Sequence, residues 1–135
     1  MSESLTELAR RSADAYNRRD LPALREIYTE DAEVHTLLAG GTEGECYRGH
    51  EGLRRWLEEN AETWEAISFE ALEIREGREW VLVCGRLKGR GIASGVEIDA
   101  PAFLAARVRD GRIAYLRAHQ EESAAEAECG ISANA

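Results

Sequence analysis

The chain has 135 residues, 44% of them hydrophobic, and a net charge of −9, which suits one soluble domain over residues 1–135 and is too short for two. The acidic balance argues against binding to nucleic acid or to an anionic membrane surface, because both need a basic face. No apolar run is long enough to span a membrane, and the N-terminus lacks the apolar segment of a secretory signal. The 3 widely spaced cysteines form no C-x-x-C pair; they suit reduced thiols in a cytoplasm and predict neither a metal site nor a cofactor.

Two helices are predicted at the start of the chain. Ser4 and Glu7 have the spacing of a capping box before apolar residues that recur every three or four positions. This helix is expected to end near Arg18. Asp20 is then expected to cap a short second helix, with Pro22 in its first turn, where a missing N–H costs little.

A strand beginning at residue 31 is expected to dissolve into a glycine-rich loop, and a third helix is predicted from roughly Glu51 to Glu65. Gly49 permits the turn out of that loop, and Glu51 complements the positive end of the helix. Its apolar stripe contains Leu53, Trp56, Leu57, Asn60 and Trp64. The stretch CYRGHEGLRRWLEE is therefore interpreted as the entrance to a helix and not as an anion site.

Strand patterns fill the second half of the chain. They are ISFEALEIRE, EWVLVCGRLKGRG, GVEIDAPAFLAARVR and RIAYLRAHQE. Asp110-Gly111 is the strongest hairpin signal, because this pair readily adopts positive φ. The tail is expected to form a short helix ending at Gly130 and then to be mobile. Helices followed by a run of antiparallel strands predict an α+β fold.

Four stretches in this order resemble the SnoaL-like branch of the nuclear transport factor 2-like superfamily. They are AYNRRDLPALREIYTEDAEVH, GECYRGHEGLRRWLEE, GRGIASGVEIDAP and RVRDGRIAYLRAHQE. The resemblance implies a cone-shaped, cystatin-like roll, in which N-terminal helices pack on a curved antiparallel sheet and leave an open mouth. It does not imply one chemistry, because the superfamily holds isomerases, polyketide cyclases, epoxide hydrolases, dehydratases and non-enzymatic members.

The reactive groups of two enzyme classes in this superfamily are missing. At the three catalytic positions of the ketosteroid isomerases, the resemblance places Ser12, Thr36 and Leu104. The acid/base aspartate of the polyketide cyclases corresponds to Ala118, and their histidine and glutamine correspond to Leu104 and Ala102. A methyl group supplies none of the rate gained from a positioned acid or base. Neither mechanism is expected to carry over.

Strand alternation separates an almost wholly apolar set of residues from a charged set, and the resemblance places the apolar set on the concave face. The concave set is Val81, Val83, Gly85, Leu87, Val96, Ile98, Ala100, Ala102, Leu104, Ala106, Ala114, Leu116, Ala118 and Gln120. The resemblance implies a homodimer through the outer sheet face, where Trp80, Phe103 and Tyr115 are expected to be exposed.

A β-bulge would reverse this assignment, because one extra residue moves every side chain that follows it in the strand to the opposite face of the sheet. The charged outer set would then enter the pocket and could activate water. It comprises Asp99, Arg107, Arg117 and His119.

The leading hypothesis is a cavity that binds a small hydrophobic molecule. The residues expected to bind it are Ser12, Tyr16, Thr36, Trp64, Leu104, Leu116, Ala118 and Gln120. Trp56 is favoured as a core residue, since aromatics at helical spacing usually pack inside. One alternative is a cyclase, isomerase or hydrolase that uses His35, Glu121 or Asp99 as acid or base. Another is a dimeric scaffold whose pocket is filled by its own side chains.

Overall fold

The computed structural model describes residues 3–37 and 43–131. Its helices are α1 (Leu5–Asn17), α2 (Leu21–Ile27), α3 (Gly49–Thr63) and α4 (Glu122–Cys129). Its strands are β1 (Tyr28–Leu37), β2 (Glu43–Arg48), β3 (Trp64–Glu76), β4 (Trp80–Gly91), β5 (Glu97–Arg109) and β6 (Arg112–His119). None of the helices in these ranges is both long and apolar enough to cross a membrane.

The start signals of the first two helices are confirmed. The Ser4 hydroxyl accepts a hydrogen bond from the Glu7 amide, and the Glu7 carboxylate accepts one from the Ser4 amide, so the capping box is complete. The Asp20 side chain likewise accepts from the amide of Ala23 at the start of α2. These bonds satisfy amides that a helix N-terminus leaves without partners.

The six strands form one curved, unclosed sheet in the order β2-β1-β6-β5-β4-β3. β1 and β6 run parallel, whereas the other neighbouring pairs run antiparallel. Helices α1 to α3 cover the concave face of the sheet, and the largest cluster of buried apolar side chains lies between these two layers. This arrangement confirms the predicted α+β roll.

β2 is a strand that the sequence pattern does not reveal. Residues 43–48 pair with β1 where a glycine-rich loop was expected, with Val34 opposite Tyr47 and His35 opposite Cys46. This segment is only 6 residues long, EGECYR, and its sequence shows no alternation of apolar and polar residues. The core of the expected loop, residues 38–42, lies outside the described residues.

The third helix is shifted by two residues from its prediction. It begins at Gly49, whose φ of +69° is the left-handed conformation that glycine favours. It ends at Thr63, so Trp64 starts β3 and is not the last residue of the helix.

A bulge does occur in the sheet, next to the Asp110-Gly111 hairpin. Both turn residues have positive φ, 53° and 78°, as a type I′ turn requires. Arg107 pairs with Tyr115, but Val108 pairs with Ile113, so Ala114 is the extra residue. Consequently Ile113 points to the core in place of Ala114, and the concave assignment of Ala114 was wrong.

Helix α4 packs on the outer face of the sheet. Its Ala125 and Cys129, together with the following Ile131, bury Leu82 and Ala105 in a second, smaller core. Gly130 ends the helix with φ +69°, as predicted. The expectation of exposed outer aromatics was therefore wrong. Trp80, Phe103 and Tyr115 are half-buried.

Ionic contacts fasten α4 to the sheet. The guanidinium of Arg75 on β3 contacts the carboxylate of Glu122 and lies 2.8 Å from that of Glu126. At the other end, Glu128 accepts from the Tyr115 hydroxyl at 2.5 Å and contacts His119 Nε2 at 2.6 Å. These contacts hold carboxylates of the helix against basic and phenolic groups of the sheet.

Candidate functional site

A cavity of about 170 Å³ lies between the helices and the concave face of the sheet. Almost all of its lining is apolar. It is lined by Ala9, Ser12, Ala13, Tyr16, Tyr28, Val34, His35, Thr36, Trp56, Asn60, Trp64, Ile67, Phe69, Val83, Leu87, Ala102, Leu104, Ala106, Ile113, Leu116 and Ala118. Three small residues of α1 (Ala9, Ser12 and Ala13) and two of β5 (Ala102 and Ala106) belong to this lining, and their short side chains leave the space open.

Most of the residues predicted from sequence to bind a ligand lie on this lining. They are Ser12, Tyr16, Thr36, Trp64, Leu104, Leu116 and Ala118. Gln120 does not belong to the group, because it follows the end of β6 and is exposed. Whether these side chains bind a ligand stays a prediction.

The alternative register is wrong for the charged residues. Asp99 is exposed and accepts from Arg86 at 2.7 Å, and Arg107 is exposed at 3.6 Å from Glu79. His119 lies against Glu128, and Arg117 interacts with Tyr115 on the same outer face. Leu116 and Ala118 lie opposite Ala106 and Leu104 of β5 and share their concave face, so the bulge at Ala114 changes only the assignment of the residues between it and the turn.

A buried phenol that sequence reasoning missed contributes to the cavity. Tyr28 is 1% exposed, and its hydroxyl lies 3.3 Å from the hydroxyl of Ser12. Burial raises the pKa of Tyr28 and of Tyr16 to about 12. Both phenols are therefore neutral at physiological pH. The sequence pattern places Tyr28 on the apolar face of the short second helix with Leu24 and Ile27, whereas in the structure it is the first residue of β1.

The hydroxyl of Thr36 is already occupied. It accepts from the Glu45 amide at 3.2 Å and donates to the Glu45 carbonyl at 3.3 Å. This bonding ties β1 to β2 at the side of the cavity. Thr36 therefore shapes the wall more than it offers a free polar group.

Asn60 is the polar residue of the lining that lacks a partner. Its Nδ2 is buried and makes no hydrogen bond within the described residues. A buried donor without an acceptor costs roughly 1–3 kcal/mol, so it marks a place where an acceptor is needed. The signal in the sequence was its position as the polar member of the apolar stripe of α3.

Aromatic rings form one wall of the cavity. Tyr16 stacks on Trp56 with ring centroids 4.9 Å apart, and Trp56 in turn lies 6.5 Å from Tyr47. Trp56 is 9% exposed and belongs to the core, as favoured from sequence, but its ring also lines the cavity. The two roles coincide because the core surrounds the cavity.

Phe69 also lines the cavity, and two local features fix its position. The side chain of Asn17, at the end of α1, accepts from the Phe69 amide at 2.8 Å and donates to its carbonyl at 2.9 Å. Gly85 makes room for the ring, since an added Cβ there would lie 2.6 Å from Phe69 Cζ and 2.1 Å from the Glu70 carbonyl oxygen.

The acid and base candidates do not converge on the cavity. His35 belongs to the lining, but its imidazole lies 3.1 Å from Glu33 and its ring centroid lies 5.2 Å from that of Tyr115, an outer-face residue. Glu121 is exposed just before α4, and Asp99 is exposed on β5. No carboxylate is found among the described residues of the lining.

A second hollow of about 580 Å³ adjoins the cavity and shares Asn60 and Trp64 with it. It is more polar, and the Glu59 carboxylate in it accepts from the Tyr47 hydroxyl at 2.7 Å. Asn60 thus lies where an apolar interior meets a polar entrance.

Comparison with known proteins places the chain in a family. No curated protein matches the sequence. A structure from Catenulispora acidiphila, described as ketosteroid isomerase-like and in complex with trimethylamine, is 17% identical over 98% of both chains with a TM-score of 0.76.

Two further similar structures are described as candidate polyketide cyclases. IdmH from Streptomyces antibioticus is 20% identical over 96% of this chain and 100% of its own, with a TM-score of 0.71. The protein from Sinorhizobium meliloti is 25% identical over 83% and 93%, with a TM-score of 0.66. The profile of the SnoaL-like domain matches residues 9–116, and the chain therefore belongs to the SnoaL-like family.

Proposed function

We propose that the protein binds a small hydrophobic molecule, about the size of one substituted ring, that carries an oxygen acceptor. The observation that carries this proposal is the buried, unpaired Nδ2 of Asn60 in an otherwise apolar cavity. A ketone, ester or hydroxyl oxygen of a ligand would supply the missing acceptor. The apolar remainder of the ligand would replace water against the alanine and aromatic walls.

The cavity volume limits the size of the ligand. An apolar cavity of about 150 Å³ accommodates benzene, and the volume here is about 170 Å³. A longer ligand would extend past Asn60 into the adjoining hollow and place its polar end there. The proposed ligand therefore has one apolar ring inside and its polar atoms near Asn60.

Binding is favoured over catalysis by the neutrality of the lining. General acid–base catalysis needs a titratable group within hydrogen-bond reach of the reacting atom. The titratable residues of the described lining are His35, whose imidazole lies against Glu33 and Tyr115 on the outer face, and the phenols of Tyr16 and Tyr28, whose pKa is raised to about 12 by burial. Neither phenol accepts a proton near neutral pH.

A matched pair of ligands tests the proposal. We expect acetophenone to bind more tightly than ethylbenzene, about five- to tenfold for one hydrogen bond, in NMR titrations of the labelled protein. Asn60→Leu should abolish this preference and still bind ethylbenzene. The control Glu62→Leu alters an exposed residue of the same helix and should keep the preference.

Two results would contradict the proposal. If neither compound shifts the resonances of Trp56 or Trp64, the cavity does not take ligands of this class. If the ketone preference survives in Asn60→Leu, the amide is not the recognition group.

A homodimer through the outer sheet face remains a proposal, now confined to the part of that face that α4 leaves open, around the Arg86–Asp99 pair. Light scattering on the purified protein tests it.

A cytoplasmic setting is likewise proposed, supported by the free thiols of Cys46, Cys84 and Cys129.

A further inference from the structure

Three potential metal ligands meet on the outer face of β1 and β2. The carboxylate of Glu33, the imidazole of His35 and the thiol of Cys46 bring one ligand atom each to within 4.8 Å of one another. His35 Nε2 lies 3.1 Å from Glu33 Oε1 and 3.8 Å from Cys46 Sγ. We propose that these three residues form a zinc-binding site.

The contacts have the pattern of a metal site and not of a catalytic triad. In a triad, the thiol and the carboxylate approach different nitrogens of the imidazole. Here both approach Nε2. Oxygen, nitrogen and sulfur therefore lie around one common location, where a cation would bind.

The spacing fits tetrahedral zinc. Zinc bonds of about 2.0–2.1 Å to nitrogen or oxygen and about 2.3 Å to sulfur imply ligand atoms roughly 3.3–3.6 Å apart at tetrahedral angles. The observed distances of 3.1 and 3.8 Å bracket that range. A mixed set of thiolate, imidazole and carboxylate suits zinc better than calcium or magnesium, which prefer oxygen ligands. A fourth position is left for water.

The sheet holds these ligands in place. His35 and Cys46 are directly opposed across the β1–β2 pair, and Glu33 lies two residues before His35 on the same face. The Tyr115 ring packs against the imidazole at 5.2 Å. A site on paired strands needs little rearrangement to bind an ion. Sequence spacing concealed it, because its ligands meet only through the register of a strand that the pattern did not predict.

The surroundings permit entry of a cation. The side chains of His35 and Glu33 are 20% and 35% exposed. Arg48 lies 3.3 Å from Glu33 Oε2 and opposes a cation, but it leaves Oε1 to face His35. The thiolate and the carboxylate together would balance the charge of a divalent ion.

Metal titration of the reduced protein tests the site. We expect Co²⁺ to produce a thiolate charge-transfer band with a stoichiometry of one, and Zn²⁺ to displace it and to raise the melting temperature. Cys46→Ser should lose the band and at least about 100-fold in zinc affinity, since loss of outer partners alone costs about 10–100-fold. His35→Gln should behave alike.

Cys84→Ser serves as the matched thiol control. Cys84, on β4, lies beside Arg75 of β3 and is not part of the cluster. The Cys84→Ser substitution should therefore leave the cobalt band and the zinc affinity unchanged. Absence of the cobalt band in the wild-type protein would overturn the proposal. An unchanged zinc affinity in Cys46→Ser, with a metal-free melting temperature equal to that of the wild type, would overturn it as well.

Discussion

The two faces of the sheet use polar groups in opposite ways. On the outer face, charges are numerous and paired, as in Arg86 with Asp99 and Arg75 with Glu126. In the cavity between the concave face and the helices, the described polar groups are few and uncharged, and the Nδ2 of Asn60 on α3 is left without a partner. Charge on this protein therefore serves attachment and solubility, whereas the scarce neutral polar groups mark the place where a ligand is expected.

A charge moved to the concave face should break this contrast most strongly. Ala118→Asp places a carboxylate in an apolar wall, and we expect it to lower the free energy of unfolding by at least about 2 kcal/mol. Burial raises the folded-state pKa of such a carboxyl above the unfolded value near 3.9. The loss should therefore grow as the pH rises from 4 to 7.5, in denaturant titrations at both values.

Ala66→Asp is the control for that change. Ala66 is exposed on β3, so the substitution adds the same charge without burying it. An equal loss of stability in both variants would show that net charge, and not the concave position, is responsible.

Removal of the anchor of α4 should have the next largest effect. Arg75→Met breaks contacts to Glu73, Glu122 and Glu126 from a side chain that is 16% exposed. We expect a loss of about 1 kcal/mol and faster amide exchange over residues 122–129. Arg90→Met, which breaks the exposed pair with Glu97, should leave the melting temperature unchanged. Unaltered exchange in Arg75→Met would show that apolar packing alone holds the helix.

The buried phenol gives a smaller effect that depends on pH. Tyr28→Phe removes the contact with Ser12 and should cost up to about 1 kcal/mol at neutral pH. Burial raises the pKa of Tyr28 to about 12, above the unfolded value near 10. Its stabilisation is present below pH 10 and is lost as the pH rises toward 12. The wild type should thus lose stability more steeply than Tyr28→Phe over this range, as measured by alkaline denaturation.

The smallest effect, with the opposite sign, is expected at Asn60. Asn60→Leu removes an unpaired buried donor and should leave the ligand-free protein as stable as the wild type or slightly more so. Calorimetric melting curves measure this. A clear loss of stability would mean that the amide has a structural partner, and would weaken its assignment to ligand recognition.

The parts of the fold that depend on local signals were predictable from the sequence. The caps at Ser4 and Asp20 and the turn at Asp110-Gly111 depend on neighbouring residues and are present as expected. The concave positions of Leu104 and Ala118 were expected from strand alternation together with the family resemblance, and the two residues pair directly across β5 and β6.

The features that depend on distant partners were not predictable. β2 is a strand because β1 pairs with it, and α4 covers Leu82 and Ala105 because the chain returns to the outer face. The roles of Tyr28 and Asn60 depend on which atoms meet across the cavity. Neither spacing nor composition contains that information.

The crowding at Gly85 has a consequence for how such a protein could change its ligand over evolution. A side chain there would collide with backbone as well as with Phe69, so this position offers no gradual route to a different cavity size. The adjustable positions are the alanines that face the cavity, where each added methyl group removes a small volume. They are Ala9, Ala13, Ala102, Ala106 and Ala118. Drift in ligand preference should therefore proceed through these five sites, around a fixed aromatic wall.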